Sequence, residues 1–150
     1  MKNIYFVQVN NVYGIKRKST YIPYAAGCIE AYCLQNPVIA KEDKFNKIIY
    51  RRDDIEELVR GLESPYMVLF SSYVWNIEYN KKTAEAIKKI YPNCFITFGG
   101  HSVSTDPEEI KKYKYVDFVT HRFGEESTAG ILECLAVGGE LSEIPNISFL

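Results

Sequence analysis

Residues Val68–Asn76 read V-L-F-S-S-Y-V-W-N, and residues Cys94–Ser102 read C-F-I-T-F-G-G-H-S. Each runs from apolar residues straight into small, polar or glycine residues, which is how a parallel sheet delivers a loop to a ligand instead of to the next strand of a hairpin. One helical segment separates them. Two such strand ends lying side by side imply a binding crevice at one edge of a sheet.

The same pattern extends outward in both directions. Ile4–Val9 is a short apolar run interrupted by Gln8, and an Asn-, Gly- and Lys-rich loop follows from Asn10 to Thr20. Beyond Pro23, the residues Ala26, Ile29, Tyr32 and Cys33 recur at helical spacing, predicting a helix from about Tyr24 to Gln35 that stops before Asn36-Pro37. Lys47–Arg51 (K-I-I-Y-R) reads as the second strand. Asp53 with Glu56 has the form of a capping box for a helix that puts Ile55, Leu58, Val59 and Leu62 on one face. Tyr66–Phe70 is nearly continuous apolar sequence, as in a strand buried on both sides.

Asn76 is placed to cap the next helix, in which Ile77, Ala84, Ile87 and Ile90 or Tyr91 line one side, Lys81, Lys82, Lys88 and Lys89 cluster toward solvent, and Pro92-Asn93 ends the run. Asp106-Pro107-Glu108-Glu109 starts a short helix and Val116–Thr120 is a fifth strand. Glu125-Glu126 opens a last helix that turns Thr128, Ile131, Leu132 and Leu135 inward and ends at Gly138-Gly139. Five strands alternating with five helices predict an α/β chain: a flavodoxin-like (Rossmann-like), doubly wound, five-stranded parallel sheet in a three-layer α/β/α arrangement. Residues 1–150 form one domain on this reading. Leu141–Leu150 leads toward a sixth apolar run, and an ending on I-S-F-L is expected of the amino-terminal part of a longer protein.

Composition narrows the function classes. The chain is 47% hydrophobic and 25% charged, with a formal net charge of -1. That leaves no global field to gather nucleic acid or an anionic membrane, and Lys16-Arg17-Lys18 reads as a solvated loop. No apolar run approaches the ~20 residues of a membrane span, and Met1-Lys2-Asn3 enters the first strand without a signal-peptide pattern, so the cytoplasm is the expected compartment. Cys28, Cys33, Cys94 and Cys134 lack the close pairing of a zinc site and read as small buried hydrophobes.

Ligands of open α/β sheets bind beyond the carboxyl ends of the strands. Ser71 and Ser72 present hydroxyls there, either to a ligand or to a loose backbone group at the strand end. Gly99-Gly100 offers a backbone free of side-chain bulk. Tyr73 and Trp75 make a flat apolar surface, with Tyr21 and Tyr24 able to close it from the other side, and the indole either covers a ligand or packs over the sheet end. His101 and His121 lie at the same edge without carboxylate or thiolate partners at metal-ligand spacing, and Glu125 and Glu126 suit a helix start. A phosphate loop, a G-x-G-x-x-G fingerprint and an acidic cluster after the first strand are all absent, which removes the usual basis of nucleotide, dinucleotide and response-regulator readings.

P-Y-A-A-G (Pro23–Gly27), F-S-S-Y-V-W-N-I-E-Y-N (Phe70–Asn80), F-G-G-H-S (Phe98–Ser102), F-G-E-E-S (Phe123–Ser127) and I-P-N-I-S (Ile144–Ser148) occur in this order. In that combination the chain resembles the amino-terminal cobalamin-binding domains of radical S-adenosylmethionine enzymes, in the group often labelled magnesium-protoporphyrin ester cyclase-like. The resemblance implies a corrinoid across the carboxyl edge of the sheet, its nucleotide tail descending between sheet and helix. Ser71, Ser72, Gly99, Gly100 and Ser102 would then line the tail pocket, and Tyr73, Val74, Trp75 and Asn76 would lie under the ring. Gly124 and Glu125 would border the opposite rim, with Tyr24 and His101 completing the cofactor contacts.

Two departures shape what is implied. Other cobalamin domains carry D-x-H-x-x-G after strand one, but Asn10–Tyr24 contains no histidine, so cobalamin is expected without a protein ligand to cobalt. The C-x-x-x-C-x-x-C that would hold a 4Fe-4S cluster is absent from the 150 residues. S-adenosylmethionine and the cluster are therefore expected in a downstream radical domain, and the chain is not catalytic alone. The competing expectations are a flavodoxin-like interaction module that has lost its cofactor, in keeping with Arg122-Phe123, or a flavin mononucleotide domain.

Overall fold

The computed structural model describes residues 1–10 and 21–149. The Asn10–Thr20 loop beyond Asn10, with its Lys16-Arg17-Lys18 cluster, lies outside the described residues. Six strands form one sheet in the order β2-β1-β3-β4-β5-β6: β1 is Lys2–Val7, β2 Asp43–Phe45, β3 Pro65–Ser71, β4 Phe95–Gly99, β5 Phe118–Thr120 and β6 Ile147–Phe149. The first five run parallel, and β6 adds an antiparallel edge, with Phe118 opposite Phe149 and Thr120 opposite Ile147. The sixth apolar run of the sequence thus joins the sheet as a strand of reversed direction.

Alternation along the central strands sends side chains into two cores. Ile4, Phe6, Met67 and Leu69 meet Ala26, Cys33, Ile39, Ile131 and Leu132 on one face. That face is covered by α1 (Tyr24–Cys33), α2 (Pro37–Glu42) and α6 (Gly124–Val137). Tyr5, Val7, Val68, Phe70, Ile96 and Phe98 meet Leu58, Val59, Ala84, Ile87 and Ile110 on the other. There the cover is α3 (Ile55–Arg60), α4 (Ile77–Ile90) and α5 (Pro107–Ile110). The three-layer α/β/α arrangement read from the sequence is present.

Several local expectations are corrected. The second strand is Asp43–Phe45, and the predicted Lys47–Arg51 run rejoins the sheet edge at its centre, where Ile49 N donates to Phe6 O at 2.8 Å, Gln8 N to Ile49 O at 2.9 Å and Asn10 N to Tyr50 O at 3.1 Å. Asn46 explains the break, because its amide bonds Asn3 Oδ1 and the carbonyls of Ile4 and Lys44, turning the chain out of the ladder. Asn36-Pro37 is both a stop and a start: Asn36 Oδ1 accepts from Val38 N at 2.9 Å and Pro37 occupies the first turn of α2, a helix the sequence reading omitted. The cap of α3 is Asp54, which accepts from Glu56 N and Glu57 N, and not Asp53.

Candidate functional site

At the carboxyl ends of β1, β3, β4 and β5 a slot of about 230 Å³ opens between the sheet and the α1/α6 layer. Its walls are Phe6, Leu69, Ala25, Ala26 and Ile29, its mouth carries Ser71, Tyr73, His101, Arg122 and Glu125, and Thr97, Thr120 and Thr128 add hydroxyl-bearing side chains. Gln8 fixes one wall by accepting the Ala26 N–H at 3.1 Å, so the polar residue that interrupts the first strand ties β1 to the start of α1. Gly124 lets the mouth close: a Cβ there would stand 3.2 Å from Ile29 Cδ1, where α1 and α6 meet.

The glycine pair is explained by crowding between turns. A Cβ on Gly99 would lie 2.5 Å from Thr120 Oγ1, and one on Gly100 would lie 2.5 Å from Ser72 O, with φ at +101°. Ser72 N donates to Gly99 O at 2.7 Å and Ser102 N to Ser72 O at 3.1 Å, which locks the ends of β3 and β4 together. Both loops therefore leave the sheet on the same side.

Of the residues singled out from the sequence, Ser71, Tyr73, Gly99, Gly100, His101, Gly124 and Glu125 line this slot. Val74 and Trp75 stand exposed on its rim, where the indole stacks on Tyr73 with ring centroids 4.7 Å apart and planes 5° from parallel. His101 rests against the same tyrosine at 5.8 Å. Tyr24 is exposed at the start of α1, and its hydroxyl is held above the usual range by its hydrogen bond to the Cys28 thiol.

Ser72, Asn76 and Ser102 are not brought to the slot. Ser72 and Asn76 are buried, and Ser102 borders a separate cavity of about 220 Å³ beside Ile77, Lys81 and Phe98. Asn76 stands before α4, but its side chain does not cap that helix. Its Oδ1 accepts from Tyr73 N at 2.7 Å and its Nδ2 donates to Val9 O and Ser71 O, both at 3.0 Å. Asn80 extends this cluster with an Nδ2 bond to Ser72 Oγ at 3.1 Å. These amides hold the Tyr73-Val74-Trp75 loop in place from beneath.

Thr97 is the residue that the sequence reading missed. It is 1% exposed, lines the slot, and its Oγ1 has no hydrogen-bond partner. The signal was the one hydroxyl within the apolar run C-F-I-T-F. Arg122 at the mouth adopts a left-handed backbone with φ 60°. His121 turns away to Ser148 Oγ at 2.9 Å, and burial lowers its pKa. Cys33 and Cys94 are free and buried, and burial pushes each thiol up to about 12, in keeping with the small-hydrophobe reading, whereas Cys28 and Cys134 are only half-buried. No cluster of metal-ligating side chains occurs among the described residues, and no helix among them is long and apolar enough to cross a membrane.

Known proteins share this sequence and this architecture. The chain is 28% identical over 149 residues to the 2-(S-pantetheinyl)-carbapenam-3-carboxylate methyltransferase of Streptantibioticus cattleyicolor, covering 98% of this chain and 21% of that protein. It is equally 28% identical, with the same coverage, to the cobalamin-dependent radical SAM methyltransferase TokK of Streptomyces tokunonensis. The chain thus spans about a fifth of the length of these curated relatives. In fold it is similar to the cobalamin-dependent S-adenosylmethionine radical enzyme OxsB, with a TM-score of 0.77 at 18% identity over 99% of this chain and 21% of that one. It is similar also to the radical S-adenosylmethionine methyltransferase TsrM from Kitasatospora setae, with a TM-score of 0.69 at 16% identity over 98% of this chain and 28% of that one. The family model described as B12 binding domain matches residues 11–132, and the chain belongs to that cobalamin-binding family.

Proposed function

We propose that the slot receives the nucleotide tail of a corrinoid while the ring rests on the Tyr73-Val74-Trp75 rim. The observation that carries this is the slot's form: a narrow opening with apolar walls, reached between locked strand ends and floored by an unpartnered hydroxyl. Apolar walls suit the faces of an aromatic base, and polar groups at the mouth suit a ribose and phosphodiester. Ser71, Gly99, Gly100, Gly124 and Glu125 border the tail, and Tyr24 and His101 stand at the rim beside the ring. Ser72, Asn76 and Ser102 act through the loops they hold and not by contact.

A bound corrinoid supplies a cobalt centre able to carry a methyl group. This chain's own contribution is to bind it, orient it and exclude water from its lower side. Asn76 and Asn80 fix the rim loop from below, and Arg52 Nη2 donates to Trp75 O at 2.6 Å, so the rim is ordered before any ligand arrives. No histidine occurs from Asn10 to Tyr24, which leaves cobalt without a protein ligand from that loop. By its likeness to TokK, the chain serves as the cobalamin-binding part of a longer radical S-adenosylmethionine enzyme, whose downstream domain holds the cluster and performs methyl transfer or a related radical step.

Mixing the purified chain with hydroxocobalamin and dialysing should leave a corrinoid spectrum on the protein. A colourless protein at high ligand concentration, in both this chain and its longer parent, would overturn the proposal in favour of a cofactor-free module. A yellow protein carrying flavin would overturn it in favour of a flavin domain.

A further inference from the structure

Three described residues hold buried side-chain oxygens without a partner: Asp43, Asn80 and Thr97. Asp43 and Asn80 do not border the slot, whereas Thr97 does. Its direction is set by strand alternation, since Ile96 and Phe98 belong to the α3/α4 core while Phe95 packs on the α1/α6 side, and Thr97 shares the parity of Phe95. The register places Thr97 beside Leu69 and Gly99 beside Ser71, so Thr97 lies one pleat repeat, ~7 Å, below the strand end. That depth is comparable with the long dimension of a bicyclic heteroaromatic base entering edge-on.

A buried hydroxyl without a partner is rare in a folded protein and calls for an explanation, and at Thr97 the adjoining slot supplies one. We propose that Thr97 is a specificity-determining residue whose Oγ–H donates to a ring nitrogen of the corrinoid's lower base, so that the chain selects corrinoids with a nitrogen-heterocycle tail. The inference rests on the corrinoid reading above and sharpens it from a cofactor class to a base class. A threonine hydroxyl has one proton to give, and a benzimidazole released from cobalt has one ring nitrogen to receive it. A tail-less corrinoid offers nothing at that depth, so its affinity is independent of Thr97.

The test is a spectrophotometric titration of the wild-type chain, Thr97→Val and Thr97→Ser with hydroxocobalamin and with dicyanocobinamide, which lacks the nucleotide. Thr97→Val should weaken hydroxocobalamin binding about tenfold or more, the size of one hydrogen bond lost in a closed site, and leave cobinamide binding unchanged. Thr97→Ser should bind hydroxocobalamin within a few fold of wild type, and because it keeps the hydroxyl it decides the question if the valine variant fails to fold: a tenfold loss with serine counts against the inference. Equal hydroxocobalamin affinity in wild type and Thr97→Val, or a matching loss for cobinamide, would overturn it while leaving the corrinoid reading intact. A wild-type chain that takes up neither corrinoid would overturn both.

Discussion

The ends of β3 and β4 carry polar side chains to both faces of the sheet, and the two faces treat them differently. On the α3/α4 side, Ser72, Asn76 and Asn80 bond one another and the carbonyls of Val9 and Ser71, with Asn80 Oδ1 alone left without a partner, and none of the three borders the slot. On the α1/α6 side, Ser71 and Thr97 border open space, and the deeper of the two hydroxyls bonds to nothing. Polar residues that find each other hold a loop, and polar residues left waiting beside a cavity mark where a ligand belongs. Adjacent serines at the end of one strand fall on opposite sides of that division.

The comparison can be broken most severely at its shared seam. Gly100→Ala should cost roughly 3 kcal/mol or more, since the new Cβ meets the Ser72 backbone and φ is left-handed, and a large drop in Tm or loss of soluble protein would report it. On the packed face, Asn76→Ala strands Tyr73 N and Val9 O and leaves Ser71 O with Asn80 Nδ2 as its remaining side-chain donor, and should cost about 2–4 kcal/mol in chemical denaturation.

Asp43, buried at the start of β2 with neither carboxylate oxygen partnered, tests burial without a cavity. Burial raises its pKa above the ordinary carboxylate range, against the opposing pull of Lys2. The folded state then favours the protonated form, so the stability Asp43 allows is fully present below the unfolded pKa of ~3.9 and is lost as pH rises through the folded value. Asp43→Asn should raise Tm by a few degrees at pH 7, with the gain shrinking toward pH 4. A gain that persists unchanged at acid pH would reject the assignment.

The smallest effect is expected on the slot face. Thr97→Val in the ligand-free chain should leave stability unchanged to within about 1 kcal/mol, or raise it slightly, because no protein bond is lost. A loss of the size seen at Asn76 would show that Thr97 is structural after all, and would erase the contrast between the faces.

The fold was legible because hydrophobic periodicity is strong in this chain: the β3 run is buried throughout its centre and the α4 stripe holds at Ala84 and Ile87, both fully buried, although Ile90 at its end is exposed. The crevice was legible at the level of loops, since Gly99-Gly100 and Tyr73 do border it. Which side chains face it was not. Alternation states that Ser71 and Ser72 diverge, but not which helix layer stands off from the sheet, so the sequence alone does not separate Ser71 at the slot from Ser72 and Asn76 beneath the loop, nor single out Thr97 within its strand. The same limit hid β2, where Asn46 side-chain bonds mark the strand's end and the more apolar run regains the sheet edge only around Ile49.

Trp75 is the chain's sole tryptophan, and it sits exposed in parallel contact with Tyr73 at the lip of the slot. All indole emission therefore originates from one place, a few ångströms from where an intensely absorbing macrocycle would settle. The molecule carries its own optical gauge of loading, readable without a label and without the reaction of any larger enzyme.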